Sequence, residues 1–303
     1  MTTSPKVTVI IPTYNWSTVL PYSVGSVLKQ TFRDFEVLVV GDGCTDDSES
    51  VIKAIGDDRV RWINLPRNTG HQSEPNNEGL RQARGEFIAY LGHDDLWLPH
   101  HLSCMVIALE NGADLAFSIT ENISPGGRFK QVLPFRLTYT PGAWIPPTGL
   151  AHRRSVTDHV GNWRHYRELD VDPEVDLWQR AYDGGHRFVF VPRLTALKFS
   201  ASERPGVYKK RPHREQEKWF DRIQAKQDFE ASELAELLAS AENVSPGSGI
   251  LYSQLLRDLV SETGLRIRRR LRSIMHPSPK RAKQSKGEAL AARRVIKGLG
   301  RKP

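Results

Sequence analysis

What constrains this chain most is a rhythm of short apolar runs, each too brief for a helix and too continuous for a strand wetted on one face. VTVII at 7–11 and EVLVV at 36–40 are rich in β-branched residues and read as strands buried on both faces. Between them Val19, Tyr22, Ser23, Ser26, Val27 and Gln30 mark one helical face, with Pro21 where a first turn tolerates it. The unit repeats. A helix is expected near 46–55 after Thr45 and Asp46, then a strand at 59–64, a helix at 72–84 and the strand FIAYL at 87–91. Pro99 opens a helix running to about Asn111, and DLAFS at 114–118 supplies a further strand. Strands alternating with single helices predict an α/β fold: a mostly parallel sheet flanked by helices, with right-handed crossovers. Such sheets bind ligands beyond the carboxyl ends of their strands.

The rhythm changes after Thr120. Residues 121–149 are rich in Gly and Pro and predict a loop or a small antiparallel region. A helix resumes near 173–184, followed by the strand FVFV at 188–191. Residues 213–240 predict one long amphipathic helix, broken once, and 249–263 another. No internal repeat of solenoid length is present. The core is expected to end near residue 200, with helices appended.

With 303 residues, 39% hydrophobic and 26% charged, the chain can bury a real core, which excludes a wholly disordered or fibrous protein. No apolar stretch approaches the roughly 20 residues needed to cross a bilayer, and MTTSPKVTVIIPTYN carries no signal-peptide cleavage pattern. The expectation is a cytoplasmic protein. The cysteines, Cys44 and Cys104, fit a reducing compartment and form no zinc cluster by themselves. Charge is segregated: residues 266–303 hold 14 Lys and Arg against the single acid Glu288, whereas residues 1–265 hold 29 bases against 34 acids. The net charge of +8 therefore describes a tail on a mildly acidic body, and no nucleic-acid partner is expected.

Four short segments carry chemistry. Pro12, Thr13, Tyr14 and Asn15 follow the first strand, where a flat ring could approach backbone and hydroxyl closely; the same residues also make an ordinary turn. Gly41, Asp42, Gly43, Cys44, Thr45 and Asp46 follow the second, offering a carboxylate to a base or ribose, or a cap to the next helix. Gly92, His93, Asp94 and Asp95 follow FIAYL; paired carboxylates at a strand end suit Mg²⁺ or Mn²⁺ shared with a diphosphate, and otherwise a solvated cap. Glu168, Asp170, Asp172, Glu174 and Asp176 enter the helix bearing Leu177 and Trp178, offering a general base or simple capping. The histidines lack metal-ligand spacing, and the absence of GxGxxG argues against a dinucleotide enzyme.

In this order and spacing the segments resemble family 2 of the inverting glycosyltransferases, of the GT-A fold, over about residues 6–200. VTVIIPTYN and VVGDGCTDDS are similar to that family's two nucleotide loops. RNTGHQSEPNNEGLRQARGEFIAYLGHDDLWLPHHL resembles its central stretch and metal motif, and DPEVDLWQRAYDGG its acceptor-side helix. The resemblance implies a GT-A, Rossmann-like domain over 1–205, with a nucleotide-sugar half to about 120 and an acceptor half over 121–205. A helical extension over 206–264 and the basic tail 265–303 follow. It implies that Thr13 and Asp42 contact the nucleoside in a pocket shaped by Pro12 and Tyr14, and that Arg67 and Asn68 line the cleft. Asp94 would lie near the ribose or diphosphate, Asp95 would be the main ligand of Mn²⁺ or Mg²⁺, and Glu174 would be the base, with Asp172 in reserve.

Three departures stand out: Gly41 and Gly92 replace common acids, and Glu174 stands where Asp is usual, after Pro173. The implied reaction is a single displacement from a nucleoside diphosphate sugar to a hydroxyl of a glycan, a lipid-linked acceptor or a small glycoside. Trp144, Trp163 and Trp178 are candidates to cover the apolar face of an acceptor sugar, with ordinary core as the alternative for each. Two other classes compete. A sugar nucleotidyltransferase would want a Gly-rich basic loop where PTYNWS stands, and a non-catalytic binding protein would account for the lost acids. In the tail, Ile267, Leu271, Ile274 and Met275 fall on one face of a helix bearing Arg268, Arg269, Arg270 and Arg272. That pattern fits attraction to an anionic inner-membrane surface, while HPSPKRAKQSKG fits a solvated tail.

Overall fold

In the computed structural model, residues 4–125, 130–134 and 137–241 are described. The helix expected over 249–263 and the basic segment 265–303 lie outside the described residues.

The first runs form the strands expected of them. β1 (Val7–Thr13), β2 (Phe35–Gly41) and β4 (Phe87–Tyr90) are buried along their whole length. β1 pairs in parallel with β2 on one side and β4 on the other, and β3 (Val60–Asn64) pairs in parallel with β2. Pro12 is tolerated in a central strand because the β1–β4 ladder ends at Ile10 and Tyr90, before the missing N–H would matter. Glu36, buried in β2, is held by the Thr8 hydroxyl at 2.8 Å and by the Arg84 backbone N–H and Nε at 2.8 and 2.7 Å.

Beyond β4 the parallel sheet becomes mixed. β8 (Leu150–Arg153) lies antiparallel between β4 and β6 (Leu115–Ile123), so β6 still runs in the direction of β4. β9 (Phe188–Lys198) pairs in parallel with β6, and the two-residue β5 (Leu96–Trp97) pairs antiparallel with β9. β7 (Lys130–Leu133) pairs antiparallel with the far end of β6, within the region expected to be loop or antiparallel. Among the described residues the order is β3-β2-β1-β4-β8-β6-β9-β5, with β7 off this path.

Helices cover both faces. α1 (Leu20–Leu28), α2 (Ser48–Ala54) and α4 (His101–Glu110) pack on the face carrying Val9, Ile11, Val37 and Val39. α3 (Ser73–Gln82), α5 (Arg154–Val160) and α6 (Pro173–Asp183) pack on the face carrying Ile10, Leu38 and Val40. α3 comes close because it presents Gly79 to β1, where a Cβ would stand 2.6 Å from Ile10 Cγ2. The region 213–240 divides, as expected, into α8 (Arg214–Ala225) and α9 (Phe229–Ala241). Before them, α7 (Val207–Lys210) is tied back to the loop after β1: Trp16 Nε1 donates to Pro212 O and Thr18 Oγ1 to Arg211 O, at 3.2 and 3.0 Å.

Candidate active site at the strand ends

β1 is followed in sequence by β2 on one side and only later joined by β4 on the other, so the chain reverses its lateral direction at β1. The crevice this opens at the carboxyl ends holds a cavity of about 530 Å³, bordered by residues following β1, β2, β4 and β9.

Pro12, Thr13 and Tyr14 form one wall. Tyr14 is 39% exposed at the rim, while Thr13 is buried with its hydroxyl 3.1 Å from His93 Nδ1. Asn15 adopts φ +44°, and its side-chain oxygen accepts from the Thr45 and Asp46 backbone N–H groups at 2.7 and 3.2 Å, fastening the first loop to the second. Asp42 borders the cavity with its carboxylate engaged by three donors: Thr69 Oγ1 at 2.8 Å, Thr69 N at 3.0 Å and Gly70 N at 3.1 Å. Asn68 also lines the cavity and donates to Asp42 O at 3.2 Å. Arg67 is exposed and does not border it.

The adjacent acids after β4 are placed differently, although a Cβ on Gly92 would lie within 3.4 Å of both carboxylates. Asp94 borders the cavity; burial, then the neighbouring Asp95 charge, lifts its carboxyl to about 7. Asp95 is fully buried: Oδ2 accepts from Thr148 Oγ1, Oδ1 accepts from Phe199 N at 2.9 Å, and Lys198 Nζ stands 3.5 Å from Oδ2. Gly92 permits this, since a Cβ there would lie 2.6 Å from Asp95 Oδ2. His93, pushed down to about 4 by burial, is a neutral wall residue packed edge-on to Trp16.

Glu174 sits in the first turn of α6, buried, with Oε1 accepting from Trp144 Nε1 at 2.9 Å and Oε2 from Gln72 Nε2 at 3.4 Å. Gln72 itself borders the cavity, which places Glu174 beside it. Asp172 is exposed at the N-cap of α6, and Asp176 is paired with Arg164 and Arg180. Of the three tryptophans, Trp144 alone is half-buried beside the acid. Trp163 and Trp178 are core residues, donating to Tyr90 OH and Ile145 O, so for these two the core alternative holds and not the acceptor-facing one.

Five further residues belong to this neighbourhood. His71, Gln72, Lys198 and Tyr208 border the cavity, and Thr148 fixes Asp95. The sequence signal for Lys198 was a lone cation between Leu197 and Phe199 at the end of an apolar strand; Tyr208 carried none.

Among the described residues, no group of three or more His, Cys, Asp or Glu side chains is placed to hold a metal ion. The donor set fits Mg²⁺ or Mn²⁺ in the manner of sites that use one or two carboxylates and complete the shell with substrate phosphates and water. Asp94 is the carboxylate turned toward that space.

Known proteins place this geometry. The sequence model of "Glycosyl transferase family 2" matches residues 8–161, slightly over half of the chain. An uncharacterized glycosyltransferase of Nostoc sp. is 33% identical over 172 residues, covering 51% of this chain and 53% of the relative. The GalNAc(5)-diNAcBac-PP-undecaprenol beta-1,3-glucosyltransferase of Campylobacter jejuni is 35% identical over 113 residues, covering 36% of each. The chain thus spans about half or less of these relatives' lengths. Among solved structures, S. aureus TarS 1-349 in complex with UDP superposes with a TM-score of 0.55 at 18% identity, covering 92% of this chain and 77% of that one. The mannosyltransferase PcManGT of Pyrobaculum calidifontis, with GDP-Man and Mn²⁺, gives 0.53 at 17%, covering 99% and 82%. These two likenesses establish the GT-A type of fold. The family match spans β1, β2 and β4 and the cavity loops that follow these three strands, and by it the chain belongs to glycosyl transferase family 2.

Proposed function

We propose that the protein is an inverting glycosyltransferase that moves a sugar from a nucleoside diphosphate sugar to an acceptor hydroxyl. The observation that carries this reading is the buried Glu174 carboxylate, held by two N–H donors beside a cavity that opens at the strand-reversal crevice. The nucleoside would lie against Thr13, Tyr14, Asp42 and Asn68, with residues 1–120 forming the nucleotide half and 121–205 the acceptor half.

Trp144 and Gln72 each donate to a different oxygen of Glu174, fixing the plane of the carboxylate. Glu174 accepts the proton of the acceptor hydroxyl as that oxygen attacks the anomeric carbon. The new C–O bond forms on the face opposite the breaking bond to the diphosphate, which departs as the nucleoside diphosphate, so configuration inverts. Asp94 would hold Mg²⁺ or Mn²⁺, which when bound neutralises charge on the leaving group. Asp95 is assigned a supporting part instead, tying the 92–95 turn to Thr148 and to the end of β9.

The acceptor class we favour is a lipid-linked glycan. The Campylobacter relative and WfgD of Escherichia coli, 31% identical over 137 residues, are both named for transfer to undecaprenol diphosphate-linked sugars. The basic tail, with 14 Lys and Arg against the single acid Glu288 over 266–303, is proposed as the contact with an anionic inner leaflet.

Calorimetric titration with UDP, GDP, TDP and CDP, with and without Mn²⁺, tests the donor site. Binding of one nucleotide, weakened in Asp94→Ala, is expected. Glu174→Gln should keep that binding and abolish transfer; no binding of any nucleotide to the wild-type protein would overturn the reading.

A further inference from the structure

Lys198 is the lysine on this cavity's wall, and neither the motifs nor the proposed chemistry uses it. It ends β9, its side chain is 22% exposed, and it borders the same cavity as Asp94 and Thr13. Its ammonium is a full charge: burial pulls its pKa down, but the carboxylates of Asp95, Asp94 and Glu174 outweigh that and raise it. It therefore lies within the electrostatic reach of both the acids after β4 and the acid of α6.

Pairing with Asp95 uses only part of what this ammonium offers. Asp95 already accepts from Thr148 Oγ1 and Phe199 N, and Lys198 stands 3.5 Å away, longer than the usual charge-assisted contact of about 2.7–2.9 Å. An ammonium has three donors, and this one is directed along a wall of the cavity. Gly92 matters here as well. Side chains larger than hydrogen at 92 would press on the Asp95 carboxylate, so the turn holds two acids with a lysine beside them. A pocket proposed for an anionic diphosphate thus carries a positive charge on its wall beside the two acids.

Resting on the donor reading above, we propose that Lys198 is a phosphate-binding residue: its ammonium contacts the donor diphosphate and stabilises the departing nucleoside diphosphate. Nucleotide affinity is consequently carried in part by the protein's own cation and survives, weakened, when divalent metal is removed. Fixed cations aimed at a leaving phosphate are an established means of stabilising developing charge.

The test is calorimetry with UDP, GDP, TDP and CDP on the full chain, in excess EDTA and in Mn²⁺, comparing wild type, Lys198→Met, Lys198→Arg and the double variant Asp95→Asn/Lys198→Met. The wild type should bind one nucleotide in EDTA, Lys198→Met should lose roughly 10- to 100-fold, and Lys198→Arg should recover most of the loss. The double variant guards against a folding artefact: it removes both charges of the pair, so it should regain thermal stability without regaining affinity. Restored affinity in the double variant, or equal affinity of wild type and Lys198→Met in EDTA and in Mn²⁺ alike, would overturn the assignment while leaving the donor site standing. Failure of the wild type to bind any of the four nucleotides in either condition would remove the donor reading itself, and this proposal with it.

Discussion

Replacing Asp42 by alanine should unsettle the protein before any nucleotide is added. The carboxylate, 4% exposed, accepts from Thr69 Oγ1, Thr69 N and Gly70 N at 2.8, 3.0 and 3.1 Å. It thereby fixes the turn that leads, through His71, to the Gln72 amide on Glu174. Alanine leaves two backbone N–H groups and a hydroxyl without their acceptor, at about 1–3 kcal/mol for each group that stays dry. Because the turn borders an open cavity, water would satisfy part of this set, and a net loss of about 2–3 kcal/mol is the reasonable expectation. For a domain of this size that corresponds to a fall in Tm of roughly 4–12 °C. A melt of ligand-free protein measures it, with Asp42→Asn, which keeps one acceptor oxygen, falling between. An unchanged ligand-free Tm in Asp42→Ala, with nucleotide affinity alone reduced, would refute the reasoning and make Asp42 purely a ligand contact.

Trp144→Phe removes the N–H that holds Glu174 and should lower kcat about tenfold with donor affinity intact; a loss confined to donor binding would move Trp144 to the nucleotide side. Asp94 has a folded pKa raised to about 7, above its unfolded value, so its cost to stability develops as pH rises from about 4 to 7 and is complete above that. Metal-free Asp94→Asn should therefore melt higher than wild type at neutral and alkaline pH, the gap closing on acidification; a gap that widens toward acid would contradict this. Gly79→Val forces a branched side chain onto Ile10, and urea denaturation should register a loss of about 1–3 kcal/mol; an unchanged midpoint would mean that α3 can move away from β1 freely.

The parallel half of the sheet was legible because β1, β2 and β4 are apolar on both faces and separated by single helices. β8 was not, since LAHR carries two polar side chains inward of any recognisable run. His152 is buried there with both ring nitrogens partnered, Nδ1 donating to Arg153 O at 2.7 Å and Nε2 accepting from the Tyr90 hydroxyl at 3.1 Å. β9 reads as ending at Pro192, yet it continues to Lys198 because the β6–β9 register slips between Ser118 and Ile119, where Pro192 needs no partner. In the site, Thr13, Asp42 and Asp94 were visible as residues at strand ends. Which of Asp94 and Asp95 faces the cavity was not visible, because that is decided by Thr148 and Phe199, far away in the chain. Lys198 and Gln72 escaped for the same reason: their meaning comes from convergence across the sheet.

The late position of β9 in the chain also sets the order in which the protein can become competent. β1 to β4 and their helices are complete by residue 90, but β5 has β9 as its sheet partner, and the 92–95 turn is anchored by the backbone of Phe199. A chain still on the ribosome with fewer than 199 residues exposed therefore possesses most of its nucleotide loops without a fixed floor between them. Long-range pairing of this kind forms late, after the loop entropy of the intervening chain has been overcome. Any ligand that needs the completed floor therefore favours finished molecules over partly folded ones by mass action.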